Sequence, residues 1–121
     1  MGKPRFKPAE LFTNPRYFGR NRYAKAQVPA VLDGPHLAWA WYQHKVVLAL
    51  KDELFRRRWS VEDFATKLGA DLAWLRRKLN GQTPADLGEI FSWAIELGQD
   101  ILPNIRSLKD IGLNDPIELA T

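Results

Sequence analysis

The chain has 121 residues, 45% of them hydrophobic and 26% charged, with a net charge of +4 at neutral pH. That length and balance suit one compact domain with a single core, plus an extension. There is no cysteine, which excludes disulfides, thiolate catalysis and cysteine-bound zinc. No apolar run approaches the ~18 residues that a membrane span needs, and the first residues lack an apolar segment of signal-peptide type. No membrane association is therefore expected, and the cytoplasm is the expected compartment.

Charge is spread unevenly along the chain. Residues 1–35 carry Lys3, Arg5, Lys7, Arg16, Arg20, Arg22 and Lys25 against only Glu10 and Asp33. From Thr83 onward only Arg106 and Lys109 oppose Asp86, Glu89, Glu96, Asp100, Asp110, Asp115 and Glu118. Contact with a polyanion belongs to the basic start and the mixed middle, with the acidic end facing away. Pro4, Pro8, Pro15, Pro29 and Pro35 interrupt the start, which lacks a sustained period and reads as an extended basic N-terminal arm. Phe6, Phe12, Tyr17, Phe18 and Tyr23 alternate with its charges. That is more apolar content than a free polyelectrolyte tail carries, so part of the arm is expected to pack on the body. Two readings of the arm stay open. Either Arg16, Arg20 and Arg22 follow phosphates or a minor groove, with Tyr17 or Tyr23 against sugars, or the charges are solvated over aromatics that pad the core.

After Pro35 a long helical pattern runs from about His36 to Arg58, with Val46, Val47, Leu50 and Leu54 inward. Arg56, Arg57 and Arg58 close it and point in three directions, so at most two reach one DNA strand. The alternatives for them are pairing with Asp52 or Glu53, or capping the helix carbonyls. Trp39, Trp41 and Tyr42 at helical spacing are expected in the core or at an interface rather than stacked on bases, and Trp59 and Trp93 in the core. His36 and His44 lie more than two turns apart, too far to share a metal without further ligands.

The stretch from Trp59 to Gly98 holds three short helical patterns punctuated by Gly69 and Gly81. Ser60 stands where an N-cap belongs, with Asp63 as a capping-box variant, and Val61, Phe64, Ala65 and Leu68 follow at helical spacing. Gly69 ends this helix, and Asp71 caps the next after a connection of about three residues. The second helix, roughly Asp71 to Asn80, gathers Leu72, Leu75 and Leu79 on one face. Its opposite face centres on Arg77, flanked by Ala73, Trp74 and Asn80, with Arg76 and Lys78 on the shoulders. A short helix with an apolar inner face and an outward arginine suits insertion into a major groove. Trp74 faces a thymine methyl, a sugar or a protein partner. In the loop that follows, a tight turn exposes the N–H groups of Gly81, Gln82 and Thr83 to an anion, and the helix start at Ser60 and Val61 offers its positive dipole end. Thr83 alternatively serves as N-cap for a helix entered at Pro84 or Ala85.

The S-x-x-x-F-A-x-x-L-G run from Ser60 to Gly69, the L-x-x-x-L-N-G run ending at Gly81, and the following helix with Ala94, Leu97 and Gly98 resemble the lambda-repressor-like, Cro-type helix-turn-helix family. That family is also called the xenobiotic-response-element type. Lys78 stands where many members place an apolar residue, and Leu72 and Ala73 stand where members often carry polar base-reading side chains. The resemblance implies that the two helix-end regions straddle a groove and grip phosphates on either side, and that many relatives dimerise on symmetric operators.

Beyond Gly98, Ile101, Leu102, Ile105, Leu108 and Ile111 suggest a short closing helix broken by Pro103. The expected organisation is an arm over 1–35, a helix-turn-helix domain over 36–102, and an acidic tail or closing helix over 103–121. The expected fold is all-α, a compact bundle of about five helices. The expected partner is double-stranded DNA, with a homodimer or a protein partner as further possibilities and residence at the nucleoid when bound. Base contacts are expected from Ala73, Trp74, Arg76 and Arg77. Backbone contacts are expected from Ser60, Val61, Lys78, Asn80, Gly81, Gln82, Thr83, Arg16, Arg20 and Arg22. Transcriptional regulation is the leading purpose, and DNA maintenance or a protein-interaction module on the same fold are the alternatives. No phosphate loop, nucleophile elbow or metal-spaced acid cluster appears, and the pairs Asp52 with Glu53 and Glu62 with Asp63 point apart on helices. No enzymatic activity, cofactor or metal is expected.

Overall fold

A computed structural model describes residues 7–22, 24 and 34–103. Among the described residues the protein is all-α, with four α-helices, three 3-10 turns and no strand. The helices are α1 (Gly34–Arg57), α2 (Val61–Leu68), α3 (Leu72–Leu79) and α4 (Leu87–Leu97). The 3-10 turns are Pro8–Leu11, Pro15–Tyr17 and Gln99–Ile101. The expected closing helix with Ile105, Leu108 and Ile111 lies outside the described residues, as do Tyr23 and the acidic end beyond Pro103.

Local chemistry sets most of the helix ends. Ser60 caps α2 in a reciprocal box: its Oγ accepts from the Asp63 N–H at 3.0 Å and its own N–H donates to Asp63 Oδ2 at 2.8 Å. Gly69 then turns left-handed at φ 68°, and Asp71 Oδ2 accepts from the Trp74 N–H to open α3. Helix α1 ends in the same way but with a side chain in the left-handed position. Arg58 sits at φ 60°, and the Trp59 N–H reaches back to the Leu54 carbonyl at 2.9 Å.

The entry to α4 differs from expectation. That helix starts at Leu87 under a capping box of Asp86 and Glu89, so Thr83 is not its N-cap. Pro84 and Ala85 remain in a loop because Trp39 and Gln43 of α1 hold the backbone of Thr83 and Ala85 on either side of Pro84. The Trp39 indole donates to the Ala85 carbonyl at 2.7 Å, and Gln43 Oε1 accepts from the Ala85 N–H at 2.8 Å.

The core runs from Val46, Val47, Leu50 and Leu54 of α1 through Phe64, Leu75, Leu79 and Ile90 to Trp93 and Leu97. Trp93 is fully buried and Trp59 half-buried. The described part of the arm, residues 7–22, is not extended. It folds into two 3-10 turns against α1 and sinks Phe12 and Phe18 to at most 1% exposure. The reason is visible in its aromatics: Phe12 and Phe18 join Trp41 of α1 around the buried His44, all three rings between 5.2 and 5.6 Å from the imidazole. No described helix is long and apolar enough to cross a membrane.

Candidate nucleic-acid interface

Helix α3 presents the surface on which the expected contacts fall. Leu75 and Leu79 are buried and Leu72 half-buried, while Ala73, Arg76 and Arg77 are exposed on the opposite side. Two of the expected contacts leave that face. Trp74 is half-buried and packed against the core cluster, on the shoulder it shares with Lys78, whose ammonium lies 5.3 Å from the indole. The Lys78 side chain is only 13% exposed and bonds to Glu89 at 3.1 Å and to the Pro84 carbonyl at 2.6 Å. An ammonium already held by a carboxylate and a carbonyl is not available to phosphate, so the expected backbone contact at Lys78 is withdrawn. The same pairing explains how a lysine occupies a position that faces α4: its charge is satisfied there rather than solvated.

The loop after α3 is a tight turn in which the N–H groups of Gly81 and Gln82 are spent, while the buried Thr83 hydroxyl has no partner. Gly81, at φ 73°, is the left-handed residue that closes the helix. Its N–H bonds to the Lys78 carbonyl and that of Gln82 to the Arg77 carbonyl at 2.9 Å. Gly81 is moreover buried, since an added Cβ would meet the Phe18 ring at 2.7 Å and Ala9 Cβ at 2.9 Å. The expected anion-facing N–H groups at Gly81 and Gln82 are therefore absent, although the Gln82 side chain remains exposed. Thr83 is half-buried with its carbonyl accepting from Gln43 Nε2. At the start of α2 the Ser60 N–H is taken by Asp63, and the half-buried Val61 contributes its backbone N–H, which an α-helix leaves without an internal partner.

The arm completes the surface. Its Ala9 N–H donates to the Gly81 carbonyl at 2.9 Å, and Arg20 Nη2 donates to Asn80 Oδ1 at 3.1 Å. These bonds close a cleft of about 530 Å³ between the arm and the end of α3, lined by Lys7, Glu10, Arg16, Arg20, Arg77, Asn80 and Gln82 among others. Four cations and one carboxylate face it, and that carboxylate, Glu10, lies 3.9 Å from Lys7. The structure thus brings Arg16, Arg20, Arg77, Asn80, Gln82 and Thr83 to one place. Arg22 is exposed but does not line the cleft. Burial and, after it, the nearby Arg20 charge hold the Lys51 pKa below its usual value, a mark of the positive potential on this side.

Arg56 and Arg57 both pair with Glu53, and Arg57 also donates to the Leu97 carbonyl. Of the alternatives open for the arginine triplet, the structure shows pairing for two members, while Arg58 closes the helix through its left-handed backbone, its N–H on the Phe55 carbonyl. Gln43 is the residue whose importance the sequence pattern hides. Fully buried, it donates to the Lys78 and Thr83 carbonyls and accepts from Ala85, which fixes the α3–α4 loop from below. A glutamine within an apolar stretch of helix is the only signal of it. Lys7 was likewise hidden, because its role depends on how the arm folds. Among the described residues there is no group of three or more histidines, aspartates or glutamates arranged to hold a metal. No protein-family model, curated protein or solved structure matches the chain.

Proposed function

We propose that the protein binds double-stranded DNA in a sequence-specific manner and regulates transcription, with α2, the Gly69–Asp71 turn and α3 acting as a helix-turn-helix. The observation that carries this reading is the outer side of α3, where Ala73, Arg76 and Arg77 stand exposed beside a cationic cleft. A helix docked in a major groove needs a side free of bulky apolar groups and flanked by charge that neutralises phosphates. Phosphates are met by the arm and by the helix ends.

Selection of bound sequences from random duplex DNA, with the full chain and the Ala73→Glu variant side by side, tests the reading. Ala73 is exposed and packs on nothing in the core, so the variant keeps its fold while placing a carboxylate in the groove. A defined motif that disappears in the variant is the expected result. Binding without any motif favours DNA maintenance through shape and backbone.

A second reading, a protein-interaction module, rests on one specific feature. Leu87, Phe91 and Ile95 are 61%, 48% and 86% exposed and follow one another at one-turn spacing along α4, an apolar stripe of the kind that meets a partner helix or a second copy. Absence of any duplex binding in the same selection would move the assignment there.

A further inference from the structure

Arg77 stands at the centre of the outer face of α3, yet it lies in the last turn of that helix. Recognition helices address base edges mainly with residues near their N-terminus. What surrounds Arg77 also differs from a free helix face. Arg16 and Arg20, delivered by the arm, line the same cleft, and between arm and helix Gly81 is closely packed on Phe18 and Ala9. Among the described residues the Arg16 and Arg77 side chains have no hydrogen-bond or ion-pair partner, while Arg20 is oriented by Asn80. Three arginines from two chain segments line one concave site, with Lys7 beside them and Glu10 next to Lys7, a setting that suits a compact anionic oxygen pair. They do not match the flat donor and acceptor pattern of a base edge, which one arginine reads alone.

We infer that Arg77, Arg16 and Arg20 form a clasp for a DNA backbone phosphate, and that base reading falls to the first turn of α3, at Ala73. This inference rests on the DNA-binding reading given above. It makes the folded arm part of the binding site rather than a tether, since two of the three guanidiniums come from it. Arg77 then contributes affinity and register, and its removal weakens all duplexes alike.

The test compares the full-length protein with Arg77→Ala, Arg77→Lys and the Arg16→Gln/Arg20→Gln double variant. Affinity is measured for the selected duplex and for duplexes with single base changes, from 50 to 200 mM salt. The expected result is that Arg77→Ala weakens every duplex by a similar factor, keeps the order of base preference, and lowers the log–log salt slope by about one. Arg77→Lys should restore the salt slope and part of the lost affinity, since lysine keeps the charge without the guanidinium fork, and the double variant should lower the slope by about two. If the double variant loosens the arm, as a lowered unfolding midpoint would show, Arg16→Gln alone serves, because its side chain has no partner to lose. Loss of preference at one or two base positions with an unchanged slope and no rescue by lysine would place Arg77 on a base edge. That outcome overturns the clasp while DNA binding stands. Wild-type protein that binds no duplex at any salt overturns both.

Discussion

His44 shows how a single residue ties the arm to the body. Its Nδ1 accepts the Gly19 N–H at 2.7 Å, which requires a neutral imidazole. Burial first, and the nearby Lys45 charge second, lower its pKa to about 4 from the ordinary 6.5. An unfolded chain protonates this group below pH 6.5 and the folded one does not, so stability is full above 6.5 and falls as pH drops toward 4. The full window is worth about 3 kcal/mol. Denaturant unfolding at pH 7 and pH 5 should show the midpoint falling, and His44→Gln should flatten the profile between them. Glu53 adds a separate loss at lower pH, because its hydrogen bond from Arg57 holds the carboxyl below its usual value. The Glu53 pairing was among the alternatives that the sequence offered for the arginine triplet, whereas the His44 effect was not legible, because its burial depends on Phe12 and Phe18, distant in the chain.

At the scale of elements, ends written in adjacent residues were readable and ends decided by neighbours were not. Ser60, Gly69 and Asp71 act within a few residues of themselves, and each does in the structure what its chemistry dictates. The alternative of Thr83 as the cap of α4 does not hold, although Thr83 and Pro84 look like a cap and a first-turn proline, because hydrogen bonds from α1 hold that segment out of the helix. Lys78 was misassigned for a related reason: Glu89, which satisfies it, lies on the next helix. Arg58 offers a test at this scale. A side chain at φ 60° pays a steric cost that glycine avoids. Arg58→Gly should therefore raise stability by about 0.5 kcal/mol, after the entropy that glycine adds to the unfolded chain, read as a higher denaturant midpoint.

Across the whole molecule, the arm is part of the core and, in the proposed reading, of the binding surface. Phe12 and Phe18 are buried to 1% exposure or less, and burying a phenylalanine contributes about 1.5–3 kcal/mol. Gly19 is locked too, since a Cβ there would meet Val47 Cγ1 at 2.5 Å. Removal of residues 1–22 should then cost more than about 3 kcal/mol and weaken or abolish the cooperative unfolding transition followed by circular dichroism. A transition unchanged by the truncation would show that the arm is dispensable to the fold. The same result bears on the proposed function, because an arm deletion acts through unfolding, whereas substitutions at Arg16 and Arg20 leave the aromatics in place and test the charges alone.

The sequence by itself determined the all-α class, the α2–turn–α3 succession with its caps, the apolar side of α3 and the polarity of charge along the chain. Each of these depends on periodicity or on residues within one turn of each other. Only the tertiary structure decided that residues 7–22 fold onto α1, that Lys78 is paired and Gly81 buried, and that Arg16 and Arg20 stand beside Arg77. Those facts follow from contacts between segments distant in sequence. Aromatic burial around His44 and the buried amide of Gln43 set them, and no local pattern encodes which distant partner a side chain will meet.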